Sequence, residues 1–201
     1  MKRAIYCSLM IVVFFASVVE SKNIKLNFLI SALGGANYFR WLNGTPYTGW
    51  GKSYGLEGEL QIVFKKENIG FGLSYGNIYE TAIAKNPYTS WVWTRGVVRT
   101  PILIKLLLNP LGKINSWVGG GKDDFRITYV RRKIAVEIRD SQLEGTETFQ
   151  IIVAGIDIKP WRNFMLSGEF RFGANETHNT VKTTDFESWQ FLIGGKYGFS
   201  K

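Results

Sequence analysis

The chain is poor in the residues that most often carry chemistry. Its one cysteine, Cys7, falls within the first 21 residues, so the rest has no thiol for a disulfide, a soft-metal site or a nucleophile. Histidine also occurs once, at His178, which removes the usual metal-ligand and acid–base pairs. Beyond the N-terminal segment, charged or turn residues interrupt every apolar run, and none reaches the roughly 20 residues a spanning helix requires. A chain of this kind can enter a membrane only as strands.

The N-terminal segment itself reads as an export signal. Lys2 and Arg3 open it, Ile5 to Phe15 is apolar, and Val19-Glu20-Ser21 offers small residues for cleavage. Residues 22–201 are then one domain of about 180 residues, a size that suits a single all-β unit. The formal charge is +9. Loss of Lys2, Arg3 and Glu20 with the leader (two positive, one negative) leaves +8. Export argues against nucleic acid as the partner of so basic a chain, and leaves anionic lipid or simple solubility.

Three short polar turns punctuate the domain: Lys65-Lys66-Glu67-Asn68, Asn109-Pro110-Leu111-Gly112-Lys113 and Lys159-Pro160-Trp161-Arg162-Asn163. They recur at intervals of about 45 to 50 residues, with a longer polar stretch midway between them, the spacing of an up-and-down meander in which alternate connections are tight. Between the turns, polarity alternates. Phe164, Leu166, Gly168, Phe170 and Phe172 fall on one face of a strand, and Met165, Ser167, Glu169, Arg171 and Gly173 on the other. Ser188 to Phe199 and Tyr54 to Phe64 repeat the pattern. The apolar faces end in aromatics, namely Tyr54, Phe64, Phe164, Phe172, Trp189 and Phe199, as interfacial girdles do. The polar faces hold Glu57, Glu59, Arg99, Lys105, Glu169, Arg171 and Lys196 among glycines, a set able to close a narrow lumen by ion pairing.

Eight strands are predicted: Ile24 to Tyr38, Lys52 to Phe64, Ile69 to Tyr79, Trp93 to Leu108, Ile114 to Tyr129, Thr146 to Ile158, Phe164 to Asn175 and Phe186 to Phe199. The fold class is therefore all-β, an antiparallel up-and-down transmembrane barrel with both termini at the tight-turn rim. Ten strands are an alternative, with Lys122-Asp123-Asp124 as a turn and Arg131-Arg132-Lys133 as another. Eight is favoured, because the two added strands fall short of the 9 to 11 residues spanning needs. In the eight-strand reading the same residues extend the fifth strand into a protruding hairpin.

Several segments resemble the small eight-stranded outer-membrane β-barrels that include outer membrane protein X and the barrel of outer membrane protein A. Trp117-Val118-Gly119-Gly120-Gly121 is similar to the family's fifth strand and Val153 to Ile158 to its sixth. Leu166 to Gly173 is similar to its seventh, with an inward arginine at Arg171. Gly194 to Phe199 resembles the terminal strand read by the barrel assembly machinery, although Ser200 and Lys201 follow the aromatic. The resemblance implies a monomeric barrel in the bacterial outer membrane, in contact with its lipids and lipopolysaccharide.

Candidate sites are few. His178 with Thr180 and Asp185 sketches a hydrolase triad, but a polar loop positions such groups poorly, and no enzyme is expected. No cofactor or metal is implied: Asp123-Asp124 lacks a calcium-loop spacing, and no Lys-Ser or Lys-Thr follows the triple glycine. Arg126, Arg131, Arg132, Lys133 and Arg139 make the central outer loop basic, and arginine suits phosphate contacts. Trp41, Tyr47, Trp50, Tyr88 and Trp91 populate the first two loops. The expected role is structural or surface interaction: envelope integrity, lipopolysaccharide contact or adhesion. Two other readings stay open, a porin-like transport barrel for hydrophobic solutes, hinted at by Val63, Leu103 and Leu192 on polar faces, and a soluble periplasmic lipid-binding barrel with its faces inverted.

Overall fold

A computed structural model describes residues 23–41, 47–85, 92–134, 137–141, 146–175 and 186–200. The strands are β1 (Ile24–Trp41), β2 (Tyr47–Phe64), β3 (Ile69–Lys85), β4 (Val92–Leu108), β5 (Ile114–Ile134), β6 (Glu137–Ser141), β7 (Thr146–Trp161), β8 (Phe164–Asn175) and β9 (Phe186–Ser200). All neighbours are antiparallel, and β4 pairs with β5 to close the sheet on itself. Closure removes the edges that an open sheet would expose to lipid.

Of the nine strands, β6 pairs only with β5, so eight form the wall. β5 runs unbroken through Lys122, Asp123 and Asp124, pairs with β7 up to Arg126, and continues to Ile134. The ten-strand alternative thus fails, since the residues it needed for a turn lie mid-strand. Arg131, Arg132 and Lys133 belong to β5 rather than to a loop, and Arg139 to β6, where it stands in register with Arg132. Trp41, Tyr47 and Trp50 are likewise strand residues. Tyr88, Trp91, residues 1–21, His178, Thr180 and Asp185 lie outside the described residues.

β1 begins and β9 ends at the tight-turn rim, where Ile24 is opposite Phe64 and Asn27 opposite Ser200. Asn68 and Asn109 adopt left-handed φ values of 52° and 60°, which asparagine tolerates better than most residues. Their side chains then link successive turns: Asn68 Nδ2 donates to Asn109 Oδ1 at 2.5 Å, and Leu111 N to Asn68 Oδ1 at 3.1 Å. The third turn is shorter than its sequence suggests. β7 persists through Pro160 to Trp161 by a register shift, leaving Arg162 and Asn163 as the connection.

Alternation assigns the faces. On β9, Trp189, Phe191, Ile193, Tyr197 and Phe199 are exposed, whereas Ser188, Gln190, Leu192, Lys196 and Gly198 are buried. β2 and β8 follow the same rule. The apolar side therefore points outward, the reverse of a soluble lipid-binding barrel. Near the tight-turn rim Phe28 meets Phe199 and Trp161 meets Phe164, with ring centroids 6.3 and 5.6 Å apart. Toward the other rim Phe172 packs on Trp189 at 4.6 Å and Tyr54 on Tyr79 at 5.7 Å. Ten residues separate Trp189 from Phe199 (199 − 189). At about 3.3 Å each and a tilt of about 40°, they span about 25 Å, the height of a membrane barrel's apolar band.

Glycine lets the wall close where strands press together. A methyl group at Gly121 would collide with the carbonyl oxygen of Ile102, and one at Gly119 with that of Ile104. The β3–β4 pairing lapses between Tyr75–Ile102 and Ile78–Arg99, beside Pro101, which has no N–H to contribute.

Candidate functional site

An eight-stranded barrel has an interior just wide enough to be filled by side chains. Alternation from both sides delivers charged groups into it, and burial makes each group require a partner. All seven lumen residues named from the sequence are buried: Glu57, Glu59, Arg99, Lys105, Glu169, Arg171 and Lys196. They fall into layers from the tight-turn mouth upward.

In the first layer, Lys105 Nζ lies 2.8 Å from Glu59 Oε2, and Lys196 Nζ 2.9 Å from Asp157 Oδ1. Both ammonium groups also sit over the Trp117 ring, 4.4 and 4.9 Å from its centroid, a favourable cation–π placement. In the second, Arg171 bridges Glu57, at 2.5 Å, and Glu169, to which its Nε donates at 2.8 Å. In the third, Arg99 bridges Asp123 at 2.5 Å and Glu80 at 3.3 Å, and donates to Ser188 Oγ at 2.7 Å. Gln190 and Ser53 also donate to Glu80, and Asn37 donates to Ser53. The uppermost layer is aromatic. The Arg95 guanidinium lies 4.5 Å from the centroid of Phe39 and 4.9 Å from that of Phe125, and Phe149 packs edge-on against Phe125.

Among the described residues four cations (Arg99, Lys105, Arg171, Lys196) share six acids (Glu57, Glu59, Glu80, Asp123, Asp157, Glu169) in ion pairs. Lys196 also lies 4.0 Å from Glu59, while Arg95 sits in the aromatic layer above. Arg99 and Arg171 each take two carboxylates, which the planar five-donor fork permits and an ammonium matches less well. Glu80, Asp123, Asp157 and Arg95 were not among the sequence candidates. Counting in twos from the turns finds Asp157, which shares a face with Val153, and Glu80 falls one residue beyond the predicted end of β3.

Val63, Leu103 and Leu192 also point inward and are buried. Leu103 packs with Leu107, Trp117 and Val153, and Leu192 with Leu33 and Ile78. Of the interfacial candidates, Tyr54, Trp189 and Phe199 are exposed on the outer face, while Phe64, Phe164 and Phe172 are half-buried there. Of the basic candidates, Arg126 is exposed on β5. Arg131 and Lys133 are held by backbone register, opposite Thr94 and Val92 of β4 and Asp140 and Ile138 of β6. Among the described residues no group of three or more His, Cys, Asp or Glu could hold a metal.

A closed antiparallel wall, outward apolar faces and a polar filled interior define a small transmembrane β-barrel. No protein-family model matches the chain, and no curated protein matches it. Among solved structures, Neisserial surface protein A shares the fold at 13% identity and a TM-score of 0.50, over 86% of this chain and 97% of that one. The N-terminal barrel of OprF from Pseudomonas aeruginosa matches at 16% identity and a TM-score of 0.42, over 86% and 97%. Ail of Yersinia pestis matches at 12% and 0.43, over 86% and 98%. What Neisserial surface protein A shares with the chain is the fold of a small outer-membrane barrel.

Proposed function

We propose that this protein is an exported bacterial outer-membrane barrel that acts through its surface. It is a monomeric, non-enzymatic element of the envelope that contacts lipopolysaccharide or an external partner at the rim opposite the tight turns. The observation that carries this reading is the filled lumen. Its bridged charges and bulky side chains leave the outer rim as the part of the molecule free to meet something else. β4, β5 and β6 extend beyond the apolar band there, and the extension carries Arg126, Arg131, Arg132, Lys133 and Arg139. Phosphorylated lipopolysaccharide is the nearest anion such a hairpin would meet, and guanidinium groups bind phosphate in a bidentate manner. β9, which carries Tyr197 and Phe199 near its end, is the segment the assembly machinery would engage.

Binding of the purified barrel to lipopolysaccharide vesicles tests the reading. Replacing Arg131, Arg132 and Lys133 together by glutamine weakens binding at low salt and flattens its salt dependence. Equal binding by the variant rejects the lipopolysaccharide contact. Transport of hydrophobic solutes is a second reading, favoured by the apolar cluster of Phe39, Val97, Phe125 and Phe149 in the upper lumen. Uptake of a hydrophobic solute into vesicles bearing the barrel would support it over the surface role.

A further inference from the structure

The tight-turn rim is basic. Among the described residues Lys25, Lys65, Lys66, Lys113, Lys159 and Arg162 stand in or beside the turns, against one acid, Glu67. Three of them, Lys25, Lys159 and Arg162, line a vestibule of about 40 Å³ at the mouth of the lumen, together with Asn27, Gln61 and Asn115. No carboxylate among the described residues lines it. Asp157, behind Asn115, is already engaged, by Lys196 at 2.9 Å and by Asn115 Nδ2 at 3.2 Å. Neither Lys25 nor Arg162 has an ion-pair partner among the described residues. Lys159 is fixed at the mouth because its ammonium donates to the Pro110 carbonyl.

Three cations around a void lined by no acid favour an anion between them. A second observation narrows its chemistry. Asn115 is 1% exposed, and its Oδ1 has no hydrogen-bond partner. A buried acceptor of this kind calls for a donor. The vestibule has room for one phosphate group or about one or two waters, and it opens to the rim, where the rest of a larger ligand would lie.

We propose that the tight-turn mouth is a phosphate-binding site. Lys25, Lys159 and Arg162 hold the anionic oxygens, and Asn115 Oδ1 accepts from a hydroxyl on the same ligand. Two sources share this chemistry, inorganic hydrogenphosphate from the adjoining solution and the phosphoglycerol headgroup of an anionic phospholipid.

The test uses the full barrel in nanodiscs of phosphatidylcholine, or of phosphatidylcholine with phosphatidylglycerol, with backbone amide shifts of Lys159, Arg162 and Asn115 as the readout. Saturable shifts on adding inorganic phosphate to the first disc identify free phosphate. Shifts present only in the second identify the headgroup. Either result is lost about tenfold in affinity on Arg162→Gln or Lys159→Gln, as expected for one charged hydrogen bond, and changes less than about twofold on Lys65→Gln with Lys66→Gln, whose effect is screened rim charge alone. Sulfate, which lacks the donor, binds more weakly than phosphate. The proposal is overturned if neither disc shows saturable shifts, or if the Lys65/Lys66 variant loses as much affinity as the others. Arg162 is exposed, so its variant folds and keeps the test interpretable.

Discussion

The Arg171 guanidinium lies 2.5 Å from the Glu57 carboxylate and joins β8 to β2 through the lumen, between residues 114 apart in the chain. Glu169 Oε1 accepts from Nε and Nη2 of the same guanidinium, so the two carboxylates share Nη2. Removing Arg171 therefore strands two carboxylates at once in a region with little water.

Arg171→Ala is expected to destabilise the barrel by about 3–5 kcal/mol, the usual cost of orphaning one member of a buried pair. The measurement is the urea unfolding midpoint in lipid vesicles. Arg171→Met combined with Glu57→Gln and Glu169→Gln should recover much of the loss, because no charge is then left unpaired. An unchanged midpoint in Arg171→Ala would show that the network carries no stability.

Glycines at two positions differ in kind. Gly121 lies against the Ile102 carbonyl, whereas a methyl group at Gly168 would meet nothing within 4 Å. Gly121→Val is expected to cut the yield of folded barrel, scored by the gel-mobility shift on heating, and Gly168→Val to leave it unchanged. Equal yields would mean that the β4–β5 approach is not tight.

Asn109 combines a left-handed backbone with side-chain bonds. Its φ is 60°, and its Nδ2 donates to the Ile114 carbonyl at 2.8 Å. Asn109→Gly keeps the backbone and loses this bond and the one accepted from Asn68 Nδ2, at about 0.5–1.5 kcal/mol each. Asn109→Val loses the backbone conformation as well and should cost about 1–3 kcal/mol more. Equal unfolding midpoints for the two variants would remove backbone strain from the account.

Much of this fold is legible in the sequence where the two faces of a strand contrast. On β2, β8 and β9 aromatics alternate with charged or small residues, and counting in twos from a turn sorts both faces. β7 is harder, because Val153 and Ile152 are alike and Asp157 is a lone acid among the apolar inward positions beside it. On β5 the register shifts at Gly96/Val97, where Ile127 and Tyr129 pair with consecutive residues of β4 and Thr128 is left over. Alternation read through Phe125 to Val130 is out of step beyond that point. The outer reaches of β1, β2, β3 and β5 carry too little contrast to mark their ends, so Glu80 and the strand character of Arg131 to Lys133 emerge only from pairing. Bridging of two acids by one arginine joins β8 to β2 across the lumen at Arg171, and β3, β4 and β5 at Arg99, which no local pattern encodes.

The central claim is that the apolar faces meet lipid and the charged faces meet one another. The chain beyond residue 21 has no cysteine, so single cysteines along Ser188 to Phe199 can carry a spin label in vesicles without interference. The account predicts period two: labels at 189, 191, 193 and 197 collide with dissolved oxygen in the lipid, and labels at 190, 192 and 196 are protected. Protection at the odd positions with accessibility at the even ones, or no alternation at all, would contradict it.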